Sequence, residues 1–230
     1  MEQLHNGFTL DLCPGSFPLS TDSIALADFV RLPKNARVLD LGAGCGTLGM
    51  LLMATDPFCK ITGIEIDPAA NETGLRNAIR NNAQDRYQSI CADLRAIAEF
   101  IKAGSFDLCV SNPPYFSGGF VSAQHPAARQ ELLCTPEDLL RAAAYALRFG
   151  GDLYLVHKPE KLGQLIGCAA AAGLEAKRLR LVRHRPDSPV SLILLQLRKG
   201  AKPGLIWEEL YLYNADGSHS EDYRRLYHLP

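Results

Sequence analysis

Arg37-Val38-Leu39-Asp40-Leu41-Gly42-Ala43-Gly44-Cys45-Gly46 is a short apolar run that breaks into three alternate glycines. The first half reads as a strand buried on both faces, because its apolar residues are nearly continuous rather than alternating. The glycines let the chain turn tightly and approach a ligand without a Cβ in the way. A helical pattern over 47–55 follows at once. Strand, glycine loop and helix in that order open a doubly wound α/β sheet, although such a loop alone is either a nucleotide site or simply a tight turn.

Spacing around this stretch extends the pattern. Continuous apolar runs predict further strands at Lys60–Glu65, Tyr87–Cys91, Phe106–Ser111 and Gly151–His157. Helices are expected between them at 68–82, 94–103 and 135–148, with another at 159–172. Asp67-Pro68 places a cap before proline at a first helical position, and Thr135-Pro136-Glu137-Asp138 resembles a capping box with proline. Two last strands, at 175–182 and 189–197, are joined by too few residues for a crossover helix, so they are antiparallel neighbours. The expected fold is a Rossmann-like, seven-stranded, mostly parallel sheet with an antiparallel C-terminal hairpin and helices on both faces. The expected organisation is an N-terminal segment and helix at 1–34, a core at 35–199 and a tail at 200–230 packed on the core.

Four features fall at the carboxyl ends of successive strands, the edge where open α/β sheets bind ligands. The first is the glycine loop. The second is Gly63-Ile64-Glu65-Ile66-Asp67, where Glu65 or Asp67 stands about 25 residues on, as ribose recognition requires. Asp67 also has a capping role, which leaves Glu65 as first choice. The third is Cys91-Ala92-Asp93-Leu94, where Asp93 either accepts from the amine of a bound adenine or caps the next helix. The fourth is Asn112-Pro113-Pro114-Tyr115.

That tetrapeptide reads as a clamp for a planar NH2 group. The lone pair of such an amine is delocalised into its ring or carbonyl. Accepting both N–H protons, on the Asn112 side-chain oxygen and the Pro113 carbonyl, favours a pyramidal nitrogen and aims its lone pair. Pro113 and Pro114 hold the acceptors rigidly, and Tyr115 offers a face for stacking. The spacing alone does not separate adenine N6 from guanine N2, cytosine N4 or a glutamine amide. About 20 residues without periodicity follow, a length usually functional in a compact domain; Arg129 is their leading candidate for a phosphate contact.

With 47% apolar and 21% charged residues and a net charge of −1, the chain has ordinary globular composition. No apolar run reaches the roughly 18 residues of a membrane span, and the N-terminus lacks a signal-peptide pattern. Seven dispersed cysteines with no zinc spacing argue against a metal or disulfide framework and fit a cytoplasmic protein. Eight Lys or Arg crowd 175–202 against two acids, a block that forms either a phosphate-binding patch or a solvated hairpin face.

Asp40-Leu41-Gly42-Ala43-Gly44-Cys45-Gly46 resembles the donor motif of class I S-adenosylmethionine-dependent methyltransferases, and the C-terminal hairpin resembles their reversed last strand. A nicotinamide dehydrogenase is disfavoured, since the glycines do not follow Gly-x-Gly-x-x-Gly and it leaves Asn-Pro-Pro-Tyr unexplained. The resemblance implies S-adenosyl-L-methionine as cofactor. Asp40, Gly42, Gly44 and Gly46 would then line its methionine side, Glu65 the ribose and Asp93 the adenine, with Ala43, Ile66 and Asn112 also among the cofactor-binding residues. Over nearly its whole length the chain resembles the bacterial tRNA1(Val) adenine-37 N6-methyltransferases. The residues that carry this are Phe17–Ser23, Ala128–Glu131, Val156–Glu160 and Lys202–Leu205. It implies a tRNA partner with the target base flipped out, and Arg183 and Arg185 as phosphate contacts. A release-factor glutamine methyltransferase uses the same tetrapeptide but usually carries an extra N-terminal helical domain. A non-catalytic donor- or RNA-binding module is the remaining alternative.

Overall fold

The computed structural model describes residues 1–4, 7–13, 19–113 and 134–229. An antiparallel pair, β1 (Glu2–Gln3) and β2 (Thr9–Leu10), precedes α1 (Thr21–Phe29). The α/β alternation then runs β3 (Arg37–Leu41), α2 (Thr47–Thr55), β4 (Lys60–Glu65), α3 (Pro68–Arg80), β5 (Tyr87–Cys91) and a 3-10 stretch at Leu94–Glu99. It continues through β6 (Phe106–Ser111), α4 (Pro136–Ala146), β7 (Leu147–His157), α5 (Leu162–Ala171), β8 (Leu174–Arg183) and β9 (Val190–Lys199). β10 (Ile206–Tyr211) and α6 (Glu221–Leu226) complete the chain.

The main sheet has the order β10-β8-β9-β7-β6-β3-β4-β5. Only β9 runs against its neighbours, inserted between β7 and β8. The expected hairpin is present, and the mostly parallel, Rossmann-like architecture stands. The sheet has eight strands rather than seven, because β10 adds in parallel to the outer edge of β8. The ends of β3, β4, β5, β6 and β7 therefore share one edge with the ends of β8 and β10.

Alternate residues on each central strand enter two cores, which is why the strands read as continuous apolar runs. Val38, Val110, Tyr154, Val156 and Leu194 pack with α1, α2 and α3, while Leu39, Leu41, Cys109, Leu153, Leu155 and Leu195 pack with α4 and α5. The two capping expectations hold: Asp67 accepts from the Ala69 and Ala70 amides, and Thr135 and Asp138 form a reciprocal box. Several boundaries differ, and β7 starts at Leu147 rather than Gly151 because α4 ends at Ala146. α3 stops at Arg80 because Asn82 turns left-handed, with φ 53°. The segment expected as a helix over 94–103 is only a short 3-10 stretch, since Ala96 leaves helical geometry. Among the described residues no helix is long and apolar enough to cross a membrane.

Candidate active site

The glycine loop is built by three left-handed residues, Gly42, Gly44 and Gly46, with φ of 76°, 55° and 80°. Alternating them with Ala43 and Cys45 turns the backbone out of β3 and straight into α2. Ile64 anchors the turn, its carbonyl accepting from the Gly42 and Ala43 amides. Nothing lies within 4 Å of where a Cβ would stand on Gly42 or Gly44. The bare backbone thus borders open space that a ligand can enter.

Glu65 sits at the end of β4 with only 5% of its surface exposed. Its Oε2 accepts from the Gly44 amide and its Oε1 from the Asp67 amide, each at 2.8 Å. The carboxylate therefore braces the glycine loop, and each oxygen keeps a further lone pair for a hydroxyl. Asp67 is occupied as the α3 cap, which favours Glu65 over Asp67 as the ribose candidate. Asp93 does cap the 3-10 stretch through the Arg95 amide, and Arg95 also pairs with it. It nevertheless lines the same cavity as Glu65, so the cap and the cavity wall are one residue.

This cavity, of about 140 Å³, lies at the carboxyl edge on the α4 and α5 side of the sheet. Gly42, Glu65, Ile66, Asp93 and Pro113 all border it. Ala43, Gly44 and Gly46 do not, and Asp40 lies buried outside its wall. Asn112 is also outside the wall, one residue from Pro113. Pro114, Tyr115 and Arg129 fall outside the described residues. Two contacts join the halves of the site. Ser111 Oγ, fully buried at the end of β6, donates to the Leu41 carbonyl at 2.8 Å and so ties the acceptor turn to the glycine loop. Asn112 Nδ2 donates to Ser23 Oγ at 2.9 Å, which holds the amide from α1.

Several contributors were not singled out by sequence reasoning. Ser23 belongs to the quoted N-terminal stretch but had no assigned role. Thr135, His157 and Lys161 border the cavity. Burial, aided by the Lys161 charge, pushes the His157 imidazole down to about 4, so it is neutral near pH 7. Asn77, wholly buried on α3, donates to the Asp11 and Cys45 carbonyls and fastens the N-terminal segment over the loop. Cys13 and Cys45 meet there at 3.6 Å between sulfurs.

Charges placed by sequence on one basic patch turn out to be mostly engaged. Arg178 is 4% exposed and pairs with Glu208; Arg180 pairs with Glu208 and Asp28. Both guanidiniums lie over the Phe29 ring, at 4.2 and 4.9 Å. Arg198 pairs with Asp152, and Lys199 donates to the Ala144 and Leu147 carbonyls. Arg183 is partly held by Glu209 and the Ser188 carbonyl, whereas Arg185 is exposed on the turn.

Asp40 is buried to 1% exposure beneath the loop, and its Oδ2 has no partner among the described residues. Burial pushes its carboxyl up to about 7; a hydrogen bond from the Gly49 amide pulls the other way, and the Glu65 charge adds to the rise. The native state thus holds a proton that the unfolded chain releases above its ordinary value near 3.8, and stability from this group is lost as pH rises toward 7. Asp40→Asn is expected to raise the unfolding free energy from urea titration at pH 8, by on the order of a few kcal/mol, and to change it little at pH 4. An equal effect at both pH values would show that Asp40 is charged throughout. An orphaned, partly ionised carboxylate under a glycine cradle suits the ammonium of an amino-acid moiety, so these residues fit the implied donor.

Residues 20–165 match the model of the methyltransferase small domain. A protein of Serratia proteamaculans named tRNA1(Val) (adenine(37)-N6)-methyltransferase is 30% identical over 90% of this chain and 81% of its own length. One of the same name from Tolumonas auensis is 32% identical over 94% and 90%. Among solved structures, a predicted O-methyltransferase of Agrobacterium tumefaciens superposes with a TM-score of 0.76 at 21% identity, covering 90% of this chain and 96% of that one. TrmN from Thermus thermophilus superposes at 0.56 with 20% identity over 77% and 48%. At these identities the two structures speak for the fold.

Proposed function

Because this chain belongs to the methyltransferase small domain family, we propose that it methylates N6 of adenine in RNA, with adenine 37 of a tRNA anticodon loop as the target. It is a methyltransferase, and S-adenosylmethionine is its methyl donor. The observation that carries the proposal is the shared cavity. Pro113 of the acceptor turn borders the same space as Gly42, Glu65 and Asp93, so an amine held by that turn meets a donor held by the loop. The choice of adenine in tRNA rests on the names of relatives that match most of the chain.

The donor supplies an electrophilic methyl group on a sulfonium. On this reading Glu65 takes the ribose hydroxyls, Asp93 the adenine amine and Asp40 the methionine ammonium. The Asn112 side-chain oxygen and the Pro113 carbonyl accept the two protons of the target N6. That contact localises the nitrogen lone pair and points it at the methyl group. Most of the acceleration is positional, and no strong base is needed before attack, because the proton becomes acidic only as the N–C bond forms. Tyr115 and Arg129 are assigned to stacking on the flipped base and to a phosphate.

Ser23 orients the Asn112 amide. Ser23→Ala is expected to lower kcat by roughly tenfold, the scale of one lost positioning hydrogen bond, with donor affinity unchanged. In an Asn112→Ala background the same substitution should add nothing, which a double-mutant cycle reads directly. Additive losses would mean that Ser23 acts elsewhere.

The assignment is tested by incubating the protein and labelled donor separately with bulk tRNA, genomic DNA and release factor, then digesting each. Label recovered as N6-methyladenosine from tRNA supports it. Methylglutamine from release factor would sink it.

A further inference from the structure

We propose that the stacked rings of His219, Tyr223 and Tyr227 form a platform for unpaired nucleotides flanking the target base. This rests on the reading of the substrate as an RNA loop. β10 delivers the chain to the carboxyl edge beside β8, and the following residues are bonded to the β8–β9 turn. The Leu212 amide donates to the Arg183 carbonyl and the Tyr213 amide to the His184 carbonyl. A tight turn at Asn214–Ser218, closed by a bridge between Tyr213 and His219, then sends the chain into α6.

The rings are nearly parallel. His219 lies 4.0 Å from Tyr223 at 14°, and Tyr223 lies 4.4 Å from Tyr227 at 27°. Tyr213 flanks the stack at 5.6 Å from Tyr223. Face-to-face spacing of this kind matches the way successive bases stack, unlike the edge contact of Phe29 against Tyr154 in the core, at 83°. His219 is exposed, and Tyr213, Tyr223 and Tyr227 are half-buried, so one end of the stack is open at the rim.

The other end is tied to the helix that holds the acceptor turn. The Tyr227 hydroxyl and Thr21 Oγ1 are 2.8 Å apart. Thr21 opens α1, and Ser23, two residues on, holds Asn112. A base flanking the flipped adenine can therefore lie on the open His219 face and continue a stack that the protein has already begun. Two arginines stand near the rings for a phosphate, with Asp216 and Glu221 as exposed acids on the tail turn and on α6. Arg185, on the neighbouring turn, and Arg224, on α6, are exposed and take part in no ion pair among the described residues. A Cβ on Gly217 would stand 3.5 Å from Arg185 Nη2, which places that guanidinium over the tail turn. Base stacking on aromatic side chains is tolerant of sequence, and loss of one ring weakens binding by roughly tenfold.

The test uses the full-length protein, donor and an anticodon stem-loop carrying 2-aminopurine next to the target adenine. His219→Ala is expected to raise KM for the stem-loop roughly tenfold, with kcat, donor affinity and melting temperature little changed. The binding-induced quench of 2-aminopurine should be lost as well. His219→Trp should restore both, which a merely structural role would not produce; Arg224→Ala serves as a second variant and should raise KM in a salt-dependent way. If the wild-type protein methylates the stem-loop while His219→Ala leaves KM and the quench unaltered, the platform is wrong and the RNA reading stands. If the wild-type protein methylates no RNA, both fall together. Loss of release-factor binding in His219→Ala, with RNA binding intact, would assign these rings to a protein partner and overturn the proposal.

Discussion

Asn112→Ala is expected to lower methyl transfer by about a thousandfold or more while leaving the donor dissociation constant within about threefold. Removing one preorganised hydrogen-bonding group from a reacting centre costs about 10²–10³ in kcat, and here the same group also positions the nucleophile. The separation of effects follows from geometry: Pro113 borders the donor cavity, but Asn112 does not. Its known bond, to Ser23 Oγ, leads away to α1 rather than toward the glycine loop. Asn112→Asp is the stringent companion. It keeps an acceptor oxygen but replaces the Nδ2 donor with a second acceptor, so the bond can survive only with Ser23 as the donor, and it adds a negative charge. Its transfer rate is expected to stay well below wild type. Single-turnover kinetics with calorimetric donor titration checks both. Loss of donor affinity in Asn112→Ala would move this residue from the acceptor side to the donor side.

The donor side is legible in the sequence because its chemistry is local. Three alternate glycines, an acid at the next strand end and a capping Asp at the third are each set by a few adjacent residues. Their placement on one edge follows from parallel topology. The competing roles of Asp67 and Asp93 are legible too, although only the fold shows that Asp93 both caps and borders the cavity. What stays hidden depends on partners distant in the chain. Nothing near Ser23 says that it meets Asn112, 89 residues away.

β10 is hidden for a related reason. Ile206 and Trp207 are 59% and 62% exposed, so the strand shows no buried apolar face at its start. Charge pairing joins its backbone ladder in holding it: Glu208 meets Arg178 and Arg180, and Glu209 meets Arg183. The same pairs explain why the basic block at 175–202 misleads as a charge count. Its acids stand at Asp28, Asp152, Glu208 and Glu209, all outside residues 175–202. Arg183 keeps only part of its expected phosphate-binding capacity, and the exposed positive charge shifts toward Arg185 and Arg224.

Gly46→Ala is expected to destabilise the protein by about 2–5 kcal/mol and to weaken donor binding with it. Two separate causes contribute. Gly46 has φ 80°, a conformation that costs a Cβ-bearing residue roughly 1–2 kcal/mol. A Cβ there would also stand 2.8 Å from the Tyr87 hydroxyl and 3.1 Å from its Cζ, an overpacking of about 1–3 kcal/mol. Tyr87 comes from β5, and its hydroxyl fills a slot that Gly46, Gly63 and Gly74 leave open. Ser89 is the side chain that reaches that buried hydroxyl, and burial drives its ionisation above the ordinary tyrosine range. Tyr87→Phe alone should cost little, since the desolvation of the buried hydroxyl offsets most of what its contact with Ser89 contributes. The double variant separates the causes. It relieves the closest contact and leaves both the left-handed strain and the tight Cζ neighbour, so its stability should fall between Gly46→Ala and wild type. Urea denaturation of the four proteins measures this directly. A double variant no more stable than Gly46→Ala would show that Tyr87 yields freely and that backbone strain alone reserves this position for glycine.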